Sequence, residues 1–374
     1  MKKIIFGAMA AVALLACSKD QVIKQNRAND EITFSVVAEN QTKAAAVYCA
    51  NHMIGEFYVY ATHDNAWYFQ NDHIKNVDGK WLTEGNTRYW GTGSHDFYAI
   101  LNGEMTVTGV DKTPATPYVD FTTKADVKDQ VDLVYAVATD YTKAMKKAVE
   151  LNFRHALSQI EFKAKNTNEH IYVVVKGVKV GKAYSTGRFT FPTTSTAKQY
   201  EDHDQSGAAD PALNTGDWSA WGKQTDSTVE DLNVAVAQGQ TQNLTISVPG
   251  TTDEKSEFSK SMLLIPAETT AWTPAKGATD YNGTYLAVNC EIYNVAGTAY
   301  AASDVKIHTG WAVMPVAFNW EPGKKYIYTF VFGDGNGGYE PDPENPEPVL
   351  TPISYTVTVD DFQKGVDSDV NMKY

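Results

Sequence analysis

The chain has 374 residues, 43% of them hydrophobic, 21% charged and 12% aromatic, with a formal net charge of −13. At roughly 150 residues per domain, this predicts two domains, each able to bury a core. The acidic balance excludes the basic footprint of a nucleic-acid binder, and the frequent Tyr, Thr and Val favour pleated strands over helices.

Residues 1–16 read as a signal segment. Lys2 and Lys3 give a positive start, and the apolar run that follows is too short to span a bilayer. Leu14, Leu15, Ala16 and Cys17 form a tetrad that looks like a bacterial lipobox, which makes Cys17 the expected lipidation site. Lipid on Cys17 would tie the chain to the outer membrane as a surface-exposed lipoprotein. Residues 17–30 are polar and read as a flexible tether. Cys49 and Cys290 are too few for a disulfide framework and are expected to be free, buried thiols.

The first strand is expected at Ile32-Thr33-Phe34-Ser35-Val36, where apolar and hydroxyl residues alternate with a period of two. Short strand patterns recur through 56–61, 67–69, 88–90, 96–100, 118–121 and 132–137. No long helical pattern intervenes, so residues 31–145 predict a β-sandwich. The lysine-bearing stretch 141–148 marks the expected boundary. The pattern restarts at Val149 and continues through 160–166, 172–180, 188–191, 244–248, 261–266, 285–293 and 325–332, predicting a second sandwich over 146–340. Residues 196–232 are a polar excursion in which Trp218 and Trp221 are the large apolar groups.

Residues 341–374 carry a Pro-rich spacer and a terminal strand. Gly and Pro cannot hold a ladder at the density of 333–348, so an extended, semi-rigid spacer is expected there. The strand 353–360 then alternates without a break. Ile353, Tyr355, Val357 and Val359 lie on one face; Ser354, Thr356, Thr358 and Asp360 lie on the other. Set against 32–36, it reads Ile/Ile, Thr/Ser, Phe/Tyr, Ser/Thr, Val/Val. Two strands of that pattern can occupy one groove.

Several segments resemble the fimbrillin-like family, the subunits of type V pili in Bacteroidales. Leu151, Phe153, His155, Leu157 and Ile160 match its L-x-F-x-H-x-L-x-x-I stretch, and Leu263, Ile265 and Pro266 its L-x-I-P strand. Trp320, Pro322, Gly323, Tyr326 and Tyr328 match its W-x-P-G-x-x-Y-x-Y turn. Gly338-Tyr339 and the Pro-rich spacer resemble its ending. With the lipobox, the likeness covers nearly the whole mature chain. It implies two tandem transthyretin-like Greek-key β-sandwiches and a C-terminal donor strand. It also implies a trypsin-like protease that removes the first strand (Ile32, Phe34, Val36), so that a neighbour's strand (Ile353, Tyr355, Val357, Val359) can enter. A cut after Lys43 would release that strand. A cut after Arg27 would free the chain from its lipid and keep the strand. The family cuts after Arg, so Lys43 departs from its pattern. The implied partners are other pilus subunits, the membrane, the protease, and surface glycans or proteins as adhesion targets.

No nucleophile elbow, zinc-protease helix or phosphate loop occurs, so no enzyme and no cofactor is expected. His203, between acidic neighbours, reads as a solvated loop, and Asp334 with Asn336 as a turn short of calcium ligands. His155 reads as a packed residue with a backbone partner. Trp218 and Trp221 either stack on sugars, as in a monomeric glycan-binding lipoprotein, or pin their loop to the sandwich.

Overall fold

The β-branched and aromatic alternation resolves into strands through most of the described residues, although 88–90, expected as a strand, makes only an isolated bridge, Tyr89 opposite Glu31. The computed structural model describes residues 30–36, 55–64, 66–102, 117–196, 216–248, 261–335, 337–349 and 353–361. In chain order the first strands are β1 (Phe34–Val36), β2 (Glu56–His63), β3 (Ala66–Val77), β4 (Lys80–Thr83), β5 (Ser94–Leu101), β6 (Tyr118–Thr122), β7 (Val134–Thr142), β8 (Val149–Leu151) and β9 (Arg154–His155). There follow β10 (Ser158–Asn166), β11 (Ile171–Tyr184), β12 (Thr186–Thr190), β13 (Asp217–Ser219), β14 (Gln224–Val229), β15 (Val234–Val236) and β16 (Leu244–Ile246). The last are β17 (Ser261–Leu264), β18 (Tyr285–Asn294), β19 (Val305–Pro315), β20 (Lys324–Phe332) and β21 (Ile353–Asp361). Two 3-10 turns, Val127–Asp129 and Lys143–Met145, are the helical segments among the described residues. The all-β expectation holds.

Eight strands form the first sheet, in the order β8-β1-β4-β3-β2-β5-β7-β9. Its central strands are apolar on both faces, and both faces are buried. Phe57, Val59, Phe97, Ala99, Val134 and Ala136 share one core with Phe34 and Leu151. The intervening Tyr60, Tyr98, Ile100, Tyr135 and Val137 pack on the other side against Phe121, Phe189 and Trp218. Those last three come from a small sheet, β13-β12-β6, that joins residues from both halves of the chain. Strand pairing therefore continues across position 145: β8 runs parallel to β1, and β9 pairs with β7. Val149 and Leu151, whose alternation resembles the start of a new sandwich, are fully buried in the first core.

The second sandwich faces β16-β10-β20-β21, with β17 also on β10, against β14-β11-β18-β19, with β15 also on β11. Phe162 and Phe330, on the parallel neighbours β10 and β20, stack in its core with centroids 5.9 Å apart. Cys290 is a free, buried thiol there, and burial pushes its pKa up to about 12. Cys49 lies outside the described residues. The seam between the two halves is largely apolar, with Leu263 and Ile265 in the same cluster as Tyr135 and Val137, and it also carries buried hydrogen bonds. The Leu263 amide donates to Gln130 Oε1 at 2.7 Å, and Thr123 Oγ1 donates to the Leu263 carbonyl at 2.9 Å.

Candidate assembly strands

β1 is an interior strand. It pairs with β4 antiparallel, Phe34 opposite Trp81, and with β8 parallel, Phe34 opposite Val149 and Val36 opposite Leu151. The ladder extends upstream: Ile32 N donates to Arg88 O at 2.9 Å and Trp90 N to Asp30 O at 2.8 Å. Lys143 Nζ closes on Asp30 Oδ2 at 2.6 Å. The alternation points as expected. Ile32 is 3% and Phe34 6% exposed, and Val36 is partly buried on the same core. Phe34 sits edge-on between Phe57, at 6.2 Å, and Phe97, at 5.8 Å. Taking β1 away would leave two unpaired ladders facing each other and an apolar slot between them. An empty slot of that kind is costly, because each freed backbone group loses its partner.

β21 is an edge strand. It pairs antiparallel with β20 along its whole length, from Phe332 opposite Ile353 to Lys324 opposite Asp361. Among the described residues no strand lies on its other side. Ile353 is 2% exposed, while Tyr355, Val357 and Val359 are partly buried against the second core. Thr356, on the opposite face, is exposed. The expected face is inward, but it is covered incompletely, as befits a strand with one ladder.

The spacer differs from the extended tether that its Gly and Pro content predicts. Residues 337–349 are docked on their own domain. Tyr339 exchanges two backbone hydrogen bonds with Val313 of β19, both 2.8 Å, and its ring meets Trp272 at 5.5 Å. Val349 is buried in the second core, 2% exposed. These two anchoring residues override the local preference of the prolines between them. Gly335 lies against the start of β21 so closely that a β-carbon would stand 2.6 Å from Ser354 Cβ, and its φ of 93° suits glycine.

The sequence model of the fimbrillin-like family matches residues 22–359. The chain belongs to that family. Among solved structures, a candidate cell adhesion protein from Bacteroides eggerthii is 17% identical, with 89% of this chain and 96% of that one covered and a TM-score of 0.43. A candidate cell adhesion protein from Bacteroides ovatus is 16% identical, covering 91% and 98%, with a TM-score of 0.41. The fimbrilin of Porphyromonas gingivalis is 12% identical, covering 88% and 97%, with a TM-score of 0.43. No curated protein matches the chain.

In this fimbrillin-like chain the other sequence candidates fall as follows. Cys17, Arg27, Lys43 and His203 lie outside the described residues. Trp218 is 8% exposed and donates Nε1 to the Ala156 carbonyl at 2.6 Å. Trp221 is 42% exposed, but its indole N–H is taken by the Pro266 carbonyl at 3.1 Å and its ring leans on Tyr184. Both indoles pin their segments to the fold. His155 is buried as expected, but its Nδ1 partner is a carboxylate, Asp132 Oδ2, at 2.5 Å. That pair joins the chain on either side of β7. Among the described residues no group of three or more His, Cys, Asp or Glu could hold a metal ion. The features that sequence reasoning missed are the flanks of β1, Trp81 and Val149–Leu151, and the anchors Tyr339 and Val349. The sequence signal for the anchors was present: they are the large apolar side chains in a segment otherwise made of Gly, Pro, Asn and acids.

Proposed function

We propose that this fimbrillin-like protein is a structural subunit of a cell-surface pilus with a role in adhesion. It assembles by losing β1 to a trypsin-like protease and receiving β21 of a neighbour. The reading includes export as a lipoprotein through Cys17, anchorage in the outer membrane, and a maturing cut after Lys43, with Arg27 as the site that frees the chain from lipid alone. The observation that carries it is the contrast between the two matched strands. β1, with Ile32, Phe34 and Val36 inward, fills a slot between two ladders. β21, with Ile353, Tyr355, Val357 and Val359 in the same pattern, is held by one ladder at an edge. A donated strand gains main-chain bonds for affinity and alternate pockets for specificity. Moving β21 from an edge into a slot would pair both of its sides. Ile353 is already buried on its own domain, so the slot adds burial for the partly covered Tyr355, Val357 and Val359, each gaining less than the about 1.5–3 kcal/mol of a fully exposed side chain.

The test is assembly in vitro. Purified precursor is treated with trypsin and run unboiled in SDS. The reading predicts a ladder of oligomers, suppressed by an excess of synthetic peptide spanning 353–361. A folded, cleaved protein that stays monomeric contradicts it.

A further inference from the structure

The C-terminal region is attached to its domain in two separate places. β21 lies on β20, in the sheet β16-β10-β20-β21. The segment before it is fixed to the opposite sheet, through β19. There Tyr339 and Val313 exchange both backbone bonds, and the Tyr339 ring packs edge-on against Trp272, itself 2% exposed. Gly338 makes this approach possible: a β-carbon would stand 2.6 Å from the Val313 carbonyl, and the glycine's φ is 73°. The segment then closes on itself, Glu340 N to Glu347 O at 2.8 Å and Val349 N to Gly338 O at 3.0 Å. Its outer turn is held by Gly277 N to Glu344 O at 2.7 Å. Val349 ends it inside the second core. Except for Gly337 N to Ile353 O, at 3.1 Å, none of these bonds involves β21.

We propose that 338–349 is a fixed bracket that stays on its own subunit when β21 is donated. The proposal rests on the strand-exchange reading above and specifies how the strand leaves. The β20–β21 ladder opens, while the bracket's bonds to β19 and Trp272 persist. The donated strand then departs from Val349, not from Phe332. Ile353 is four residue steps beyond Val349, a reach of at most about 14 Å, whereas the chain from Phe332 to Ile353 could span about 70 Å. A bracketed strand makes a short, stiff joint that fixes the spacing and orientation of successive subunits. An unbracketed one makes a slack tether.

Two disulfide locks in the full chain carrying Cys49→Ser test this. Val313 and Tyr339 are a reciprocally bonded antiparallel pair, with an expected Cα separation of about 5.5 Å that a disulfide spans. Val313→Cys with Tyr339→Cys therefore locks the bracket. Thr329→Cys with Thr356→Cys, which are register partners, locks β21 to β20. After trypsin, the bracket-locked chain is expected to form the same SDS-resistant ladder as its reduced form, and the strand-locked chain none until dithiothreitol is added. A bracket-locked chain that assembles only on reduction overturns the bracket and leaves strand donation standing. A strand-locked chain that assembles unreduced overturns strand donation, and the bracket with it. Hydrogen exchange on the unmodified chain gives an independent readout. The Val313 and Tyr339 amides keep their protection in assembled material if the bracket holds, and lose it if the bracket peels away.

Discussion

Phe34→Ala separates the two strands energetically. Phe34 is 6% exposed and wedged edge-on between Phe57 and Phe97, with centroids at 6.2 and 5.8 Å. Truncating a buried Phe costs about 3–5 kcal/mol, because the cavity adds to the lost transfer energy. The two edge-to-face contacts place this site in the upper part of that range. Tyr355, half-buried at an edge with its ring 6.5 Å from Tyr328, can be truncated while its surroundings close in. Tyr355→Ala should cost about 1–2 kcal/mol, from area alone. In urea, at an m of about 2–3 kcal/mol/M, the Phe34 variant should unfold roughly 1–2 M earlier than the parent, and the Tyr355 variant much closer to it. The ranking should reverse in assembly. In the proposed assembly Phe34 leaves with the excised strand, so Phe34→Ala should give a normal ladder, whereas Tyr355→Ala should weaken it. Equal urea midpoints for the two variants, or loss of the ladder in a folded Phe34→Ala protein, would refute the reasoning.

Tyr355→Asp with Val357→Asp should abolish oligomers while the monomer stays folded by circular dichroism, because both residues lie on an edge strand. A monomer that unfolds would mean that the strand belongs to its own domain. Gly181→Ala should lower thermal stability by about 1–3 kcal/mol, since its β-carbon would stand 2.0 Å from the Tyr285 ring, whose hydroxyl is fixed to Asp226 Oδ2 at 2.8 Å. An unchanged melting temperature would show that the ring can move. Stability should also fall in mild acid. His95 is 1% exposed, and burial, together with His63 4.4 Å away, holds its pKa below the ordinary 6.5. The unfolded chain takes up this proton near 6.5 and the folded chain only at lower pH, so the contribution is full above 6.5 and is lost as pH drops through the window beneath it. Urea midpoints measured from about pH 7.5 to about pH 5 should fall, and His95→Gln should flatten the slope.

Strand identity was legible because burial on a pleated sheet leaves a period of two. The inward faces at Ile32, Phe34 and Ile353 follow from alternation alone. Partners were not legible. β1 lies parallel to Val149–Leu151, more than a hundred residues away, and nothing local in either segment encodes the other. The same short alternation at Val149–Leu151 is why a restart at 146 looked natural, although these residues close the first core. The central strands of the first sheet carried a signal of a different kind. Runs such as 97–101 and 133–137 are apolar at successive positions, which marks a strand covered on both faces, and the second cover arrives from β12 and β13. At the C-terminus, proline content argued for a free spacer, but two apolar side chains sufficed to dock it. His155 shows the same limit: its setting was readable, but its Asp132 partner is set by the fold.

The most direct test of strand exchange is the N-terminus of subunits inside SDS-resistant oligomers, read by mass spectrometry. The account predicts chains that begin after Lys43, with the peptide bearing Ile32, Phe34 and Val36 absent from assembled material. Oligomers whose subunits all begin after Arg27 and retain that peptide would contradict it.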